Sequence, residues 1–255
     1  MSLVLLETAG AVATITLDRP QAYNAFDKTM RSELLQALTT VETDPTLRVC
    51  IIKGAGRGFS AGNDLGDFDY DPISDLIVGE YLPLIEAIQN SQKLFIAQLH
   101  GSCAGIATAI AMNCDFITMA DDSSLYLAFA AIGIVPDGGC SFQLMNAMGY
   151  HRALEAIVEG RRITADECRE SGIANRVFSA GVLESETRAW AEQLACTAPL
   201  ANAAAKKLLR GMVGRPLTDT LKAEAEEQNA LVKSNDFKRG VSAFQKRTTP
   251  YFRGD

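Results

Sequence analysis

The residues with the most chemical potential lie in one stretch, Val49 to Leu65, reading Val-Cys-Ile-Ile-Lys-Gly-Ala-Gly-Arg-Gly-Phe-Ser-Ala-Gly-Asn-Asp-Leu. Val49 to Ile52 is a short apolar, β-branched run of the kind that forms a buried strand. Gly54, Gly56 and Gly58 end it, and Phe59 to Leu65 is too short for a helix. It reads as a loop at a strand's end, where backbone N–H groups are unpaired and available. Three chemistries compete for it. Gly54-x-Gly56-x-Gly58 looks like part of a dinucleotide fingerprint, but Asn63 to Pro72 is acidic and opens no amphipathic helix to receive a pyrophosphate. Gly58-Phe59-Ser60-Ala61-Gly62 fits the G-x-S-x-G of a serine nucleophile elbow, which must enter a helix and be followed by an acid and then a histidine. The histidines are His100 and His151, with none in the last hundred residues, so Ser60 reads as a structural serine. The third chemistry is an anion or oxyanion site built from backbone N–H groups.

The flanking elements must position this loop. Val4 to Leu6 and Val12 to Leu17 read as an opening hairpin around Gly10. Asn24 or Asp27 can cap a helix whose apolar stripe is Met30, Leu34, Leu38 and Val41. The acidic segment after the loop carries Asp67, Asp69 and Asp71, which lack the other positions of a calcium loop. Ile73 to Asn90 reads as a helix with Leu76, Leu84 and Ile88 inward, and Leu94 to Leu99 as the next strand. In Ser102 to Cys114, the Ala- and Ile-rich Gly105 to Met112 fits a helix buried on all sides. Phe116 to Met119, Leu125 to Leu127 and Arg176 to Phe178 read as short strands. Helices are predicted over Phe142 to Met148, Arg152 to Glu159, Ala165 to Ser171, Leu183 to Ala195, Leu200 to Met212, Leu217 to Val232 and Asp236 to Phe244. Phe237, Val241 and Phe244 make an apolar stripe at i, i+4 and i+7 that must dock on something. Strands alternating with helices give an α/β pattern.

Composition bounds the partners. The 255 residues are 47% hydrophobic and 22% charged, an ordinary soluble profile with ample core material. A net charge of −7 and a pI near 5.0 argue against nucleic acid and anionic membrane. The six cysteines are scattered without a C-x-x-C pair, which points to buried thiols in a reducing compartment, the cytoplasm. No basic-then-apolar leader precedes the hairpin, no run approaches ~18 apolar residues, and the terminal Arg-Gly-Asp is not a peroxisomal address.

Four motifs in order then resemble the crotonase family, the enoyl-CoA hydratase/isomerase superfamily. Leu17-Asp18-Arg19-Pro20-Gln21-Ala22-Tyr23-Asn24-Ala25 resembles its opening L-x-R-P-x-x-x-N-A. Phe59 to Leu65 resembles its F-[SAC]-[SA]-G-x-D-[LIF] loop. Gly101 to Asp115 is similar to the segment that builds the second half of the site, and Ser234 to Phe252 to the closing S-x-D-x-x-x-G-x-x-A-F-x-x-K-R-x-P-x-F. The resemblance implies a spiral of ββα turns over residues 1–195 and a C-terminal helical trimerisation region over 196–255. It implies acyl-CoA thioester substrates, a homotrimer or dimer of trimers, and no metal or separate cofactor, coenzyme A being part of the substrate.

In the family two backbone N–H groups hold the thioester oxygen, and the matching residues here are Asn63 and Ile106. Fixed N–H dipoles and a helix N-terminus stabilise an enolate oxygen without reorganising. The substrate is expected along Gln21, Ala22, Tyr23, Ala61, Gly62, Asn63, Asp64, Leu65, Ile106 and Pro136, with Lys246 and Arg247 candidates for the CoA phosphates of a neighbouring subunit. Family hydratases carry two glutamates; the first position is Ala109 here. Near the second stands Asp137 in Pro136-Asp137-Gly138-Gly139-Cys140-Ser141, a segment that by itself is ordinary turn chemistry. In the family context it resembles the Δ3,Δ2-enoyl-CoA isomerase branch. There one carboxylate shuttles a proton, and an acyl pocket including Phe129, Ile132 and Ile134 would raise its pKa. Alternatives are a hydratase, an aryl-epoxide-CoA isomerase (the Pro-Asp-x-Gly-Gly pattern resembles that branch too), a dehalogenase using an aspartate nucleophile, a non-catalytic acyl-CoA binder, and a serine esterase resting on Ser60 alone.

Overall fold

A computed structural model describes residues 2–67 and 72–255. Asp69 and Asp71, weighed above for a calcium loop, lie outside the described residues. Strands β1 (Val4–Ala9) and β2 (Val12–Leu17) form the antiparallel hairpin, turning at Gly10 with φ +60°. Helix α1 (Lys28–Thr43) is capped by Asp27, whose carboxylate accepts the Met30 N–H at 2.8 Å. Strand β3 (Val49–Gly54) follows, then α2 (Ile73–Leu76), a π turn over Ile77–Tyr81, and α3 (Leu82–Gln89). Next come β4 (Leu94–Leu99), β5 (Ser102–Ala104), α4 (Ile106–Asn113), β6 (Phe116–Ala120) and β7 (Ser124–Tyr126). Helices α5 (Cys140–Met148) and α6 (Tyr150–Glu159), strand β8 (Arg162–Thr164), α7 (Ala165–Glu170) and β9 (Arg176–Phe178) close the sheets. Helices α8 (Leu183–Ala195), α9 (Pro199–Arg210), α10 (Leu217–Leu231) and α11 (Asn235–Lys246) complete the chain. No helix among the described residues is long and apolar enough to cross a membrane.

Two sheets carry the spiral. A six-stranded sheet has the order β1-β2-β3-β4-β6-β9, parallel from β2 onward, and a three-stranded sheet has the order β5-β7-β8. Each turn lays one strand in the long sheet and one in the short sheet, then a helix: β4-β5-α4, then β6-β7 and the α5–α6 pair. The turn that begins at β3 contributes to the short-sheet side only through Ser60, which forms a single parallel bridge with Cys103 of β5. This is the ββα spiral expected from the motifs.

The apolar runs have two-sided burial as their cause. Cys50 and Ile52 of β3 pack into the main core, while Val49 and Ile51 face a second cluster with Trp190 and Ala191 of α8. A strand covered on both faces reads as continuous apolar sequence rather than alternation. Two strands, β5 and β8, were not foreseen; each is three residues long, too short for a period to show. The helix expected over Ile73 to Asn90 is interrupted by the π turn. Pro83, in the first turn of α3, has no N–H to continue the α ladder. Five cysteines are buried and free as expected, whereas Cys196 is exposed.

Candidate active site

The loop after β3 and the start of α4 meet through glycines. The Ala104 N–H donates to the Ser60 carbonyl at 2.9 Å, and Gly62 and Gly105 take φ +95° and +55°. A Cβ on Gly62 would come within 2.7 Å of the Ala104 carbonyl oxygen, so only glycine lets the two segments touch. Asn63 and Ile106 each follow one of these glycines. They also stand in register: Ser60 pairs with Cys103, and each donor lies three residues further along its own segment. Among the described residues neither N–H meets an acceptor. That of Ile106 opens the N-terminus of α4, where the helix leaves it unpaired.

Ser60 is committed elsewhere. Its hydroxyl donates to the Asn24 carbonyl at 2.7 Å and accepts the Gly62 N–H at 3.1 Å, while His100 Nε2 lies 3.0 Å from the Gly56 carbonyl. Asn24 does not cap α1. Fully buried at φ +55°, it donates to the carbonyls of Ala55, Gly58 and Phe59 and accepts the Arg19 N–H, stitching the glycine loop to the Arg19-Pro20 turn.

Asp137 sits in the turn before α5. Gly138 and Gly139 both have positive φ, and a Cβ on Gly138 would lie 2.5 Å from Ile106 Cδ1 and 2.8 Å from Ala109 Cβ. The turn is thus pressed onto α4, and Ala109 occupies the contact. Its other tether is Asn113, the last residue of α4, which is buried and donates to the carbonyls of Ala109 at 2.8 Å and Gly138 at 3.1 Å. Gln143 donates to the Asn113 side-chain oxygen at 3.0 Å and Gln89 to the same atom. Asp137 Oδ1 is buried without a hydrogen-bond partner among the described residues. Burial pushes its carboxyl up to about 6.

A cavity of about 450 Å³ joins these parts, lined by Asn63, Ile106 and Asp137 together with Tyr81, Phe129 and Ile132, among others. Of the sequence-derived contact residues, Ala61 and Leu65 also line it, as does Ile134. Gln21, Ala22, Tyr23, Gly62, Asp64 and Pro136 do not. Asp64 is held by Arg19 at 2.6 Å and accepts the Gly66 N–H, which keeps its carboxyl below the usual range, the Arg19 bond first. Exposed Tyr23 carries Arg57 over its ring.

Tyr81, Arg31 and Asn113 belong to the site although no sequence motif marks them. The Tyr81 hydroxyl donates to Asn63 Oδ1, which also accepts Arg31 Nη1 at 3.1 Å. Arg31 is buried on α1 and its Nε lies 2.7 Å from Glu80 Oε2. The Asn63 side chain is therefore anchored away from its own N–H, which fixes the loop's donor. Burial raises the Tyr81 phenol and keeps it neutral. Pro83 was the available signal for Tyr81, since π turns gather at functional sites.

The sequence model of the enoyl-CoA hydratase/isomerase family matches residues 7–255. The chain is 30% identical to the 1,2-epoxyphenylacetyl-CoA isomerase of Escherichia coli K12 over 260 residues, covering 100% of this chain and 99% of the relative. It is 35% identical to the carnitinyl-CoA dehydratase of the same organism, covering 96% of each. The crystal structure of an enoyl-CoA hydratase from Bacillus anthracis superposes with a TM-score of 0.94 at 27% identity, covering 99% of this chain and 100% of that one. Sequence and fold agree from end to end, and the chain belongs to the enoyl-CoA hydratase/isomerase family.

Proposed function

We propose that this acyl-CoA enzyme moves the double bond of an enoyl-CoA from C3 to C2, with Asp137 as its one acid–base group. Asp137 takes a proton from C2 of the 3-enoyl thioester. The C2–H pair becomes a C1=C2 bond and the carbonyl pair moves onto the thioester oxygen. This gives a dienolate that keeps C3=C4 and whose oxygen accepts from the Asn63 and Ile106 N–H groups. On its collapse C2=C3 forms and the C3=C4 pair takes the proton at C4. The same carboxyl returns the proton to C4, leaving the 2-enoyl product, with nothing gained or lost overall. Each oxyanion donor is worth roughly 2.7–4 kcal/mol of barrier. The observation that carries the reading is the unpartnered Asp137 oxygen in an apolar cavity, raised to about 6 where it can both take and return a proton near neutrality. Packing at Ala109 supports one-carboxylate chemistry over hydration, because that position is filled by the Gly138 contact. Likeness to the 1,2-epoxyphenylacetyl-CoA isomerase favours a second reading, ring-opening isomerisation of an aryl-epoxide thioester by the same groups. The CoA moiety is assigned to the segments Gln21 to Tyr23 and Ala61 to Leu65, and the working enzyme to a trimer or a multiple of three.

A spectrophotometric panel of 3-enoyl-, 2-enoyl- and aryl-epoxide-CoA esters tests both readings. The 3-enoyl ester is expected to turn over and, in deuterated water, to gain label at C4, diluted to the extent that Asp137 hands back the abstracted proton before it exchanges. Asp137→Asn should lower turnover ~10²–10⁴-fold with CoA-ester affinity largely kept. A variant within about threefold of wild type makes Asp137 a turn residue and ends both readings, since that is a small change on the barrier scale.

A further inference from the structure

We infer that the cavity takes an uncharged, apolar acyl group and rejects one that ends in a carboxylate. The inference rests on the site being an acyl-thioester site and not on which bond shifts there. Among its described lining residues the polar side chains are Asn63, Tyr81 and Asp137, and none is Lys, Arg or His. The undescribed residues 68–71 are Phe, Asp, Tyr and Asp, so their sequence brings no basic group either. Each polar side chain is unsuited to an anion. The Asn63 oxygen is already an acceptor for Tyr81 and Arg31, the Tyr81 hydrogen is given to it, and the neutral Asn63 amide nitrogen already donates to the Asp64 carbonyl at 3.3 Å. Arg31 does not line the cavity and already faces Glu80. Asp137 would meet a second carboxylate as a like charge.

The remaining wall is aliphatic or aromatic, and much of it is left open to water. Leu65, Ile132, Ile134 and Val135 all line the cavity and are all exposed. An alkyl or aryl chain gains by covering such surface. A carboxylate-ended chain must instead give up its hydration with no cation to replace it, beside a carboxyl that is ionised above pH 6.

Two CoA esters of equal chain length, hexanoyl-CoA and adipoyl-CoA, separate these cases by calorimetry with the wild-type enzyme at pH 8. Their nucleotide and pantetheine parts are the same and cancel. Hexanoyl-CoA is expected to bind about 100-fold more tightly. A preference under tenfold, or one for adipoyl-CoA, overturns the inference. Kinetics with 3-hexenoyl-CoA and its ω-carboxylate analogue give the parallel readout. If neither ester turns over while the binding preference holds, the acyl specificity stands and the isomerase reading fails. If 3-hexenoyl-CoA turns over and the carboxylate analogue matches it within tenfold in kcat/KM, the isomerase reading stands and the specificity falls.

Discussion

At the scale of the residue, the proposed chemistry rests on Asp137, and its titration should be visible twice. Burial lifts its carboxyl from 3.8 to about 6, so the basic form needed to take a proton fills only above that pH. The rate is expected to climb about tenfold per pH unit below 6 and to level off above it. Stability runs the other way. Unfolded, the carboxyl is ionised above about pH 4; folded, it keeps its proton until about 6. Between those values the native state binds the extra proton, so stability from this group is present at low pH and lost as pH rises through the window. Asp137→Asn should therefore melt above wild type at pH 8 and lose the advantage by pH 4, as read by thermal melts across the range. A variant whose melting gap does not change with pH would show that the carboxyl is not buried as described. Little of this was legible locally. Pro136-Asp137-Gly138 is turn chemistry, and the carboxyl is raised by burial in a cavity whose walls, Ile106 and Phe129 among them, come from distant parts of the chain.

At the scale of the element, α4 is the part on which both halves of the site depend. Its first residue presents the Ile106 N–H, and its last, Asn113, holds the Gly138 carbonyl. Asn113→Leu keeps the volume but removes both donors and strands the Gln89 and Gln143 amides. Leaving such buried groups unpaired should cost about 1–3 kcal/mol in stability. The sharper readout is kinetic: turnover should fall about tenfold with KM within threefold, because only the Asp137 turn is loosened. Equal loss in KM and kcat would instead mark a general collapse of the pocket. The apolar run Leu94–Leu99 and the amphipathic Leu183–Ala195 were legible to the residue, as was the three-residue strand Arg176–Phe178 although it is too short to show a period. The wholly buried α4 was legible as well, through its unbroken small and apolar sequence. Asn113 was not, since one polar residue at a helix end looks like any cap, and its side-chain partners outside α4 lie 24 to 30 residues away.

At the scale of the whole molecule, the C-terminal helices are tied to the site by buried charge and yet leave an apolar face open. Lys206 of α9 is buried and reaches Asp115 at 2.8 Å and the carbonyls of Ile88 and Lys93 at 2.7 and 2.9 Å. Arg210 takes the other Asp115 oxygen at 2.8 Å. Asp115 lies two residues beyond the end of α4, so α9 is braced against the segment that carries Ile106 and Asn113. Losing one member of such a set leaves an uncompensated buried charge, which holds α9 in one position. Beyond it, Phe237, Val241 and Phe244 of α11 stay 46%, 40% and 86% exposed in the single chain. With Leu200, Leu231 and Phe252 they line a groove of about 590 Å³. The stripe was plain in the sequence, but an intermolecular partner leaves no local period by which to recognise it. Three aligned apolar side chains at this exposure are costly in water unless another surface covers them. The expected cover is the same region of other copies. Sedimentation at micromolar concentration should thus give three times 27.4 kDa or a multiple of it. Phe244→Asp, which puts a charge on the most exposed of the three, should shift the particle toward the monomer while circular dichroism keeps the native helix content. A wild-type monomer under these conditions would contradict the assembly and any CoA contact shared between subunits.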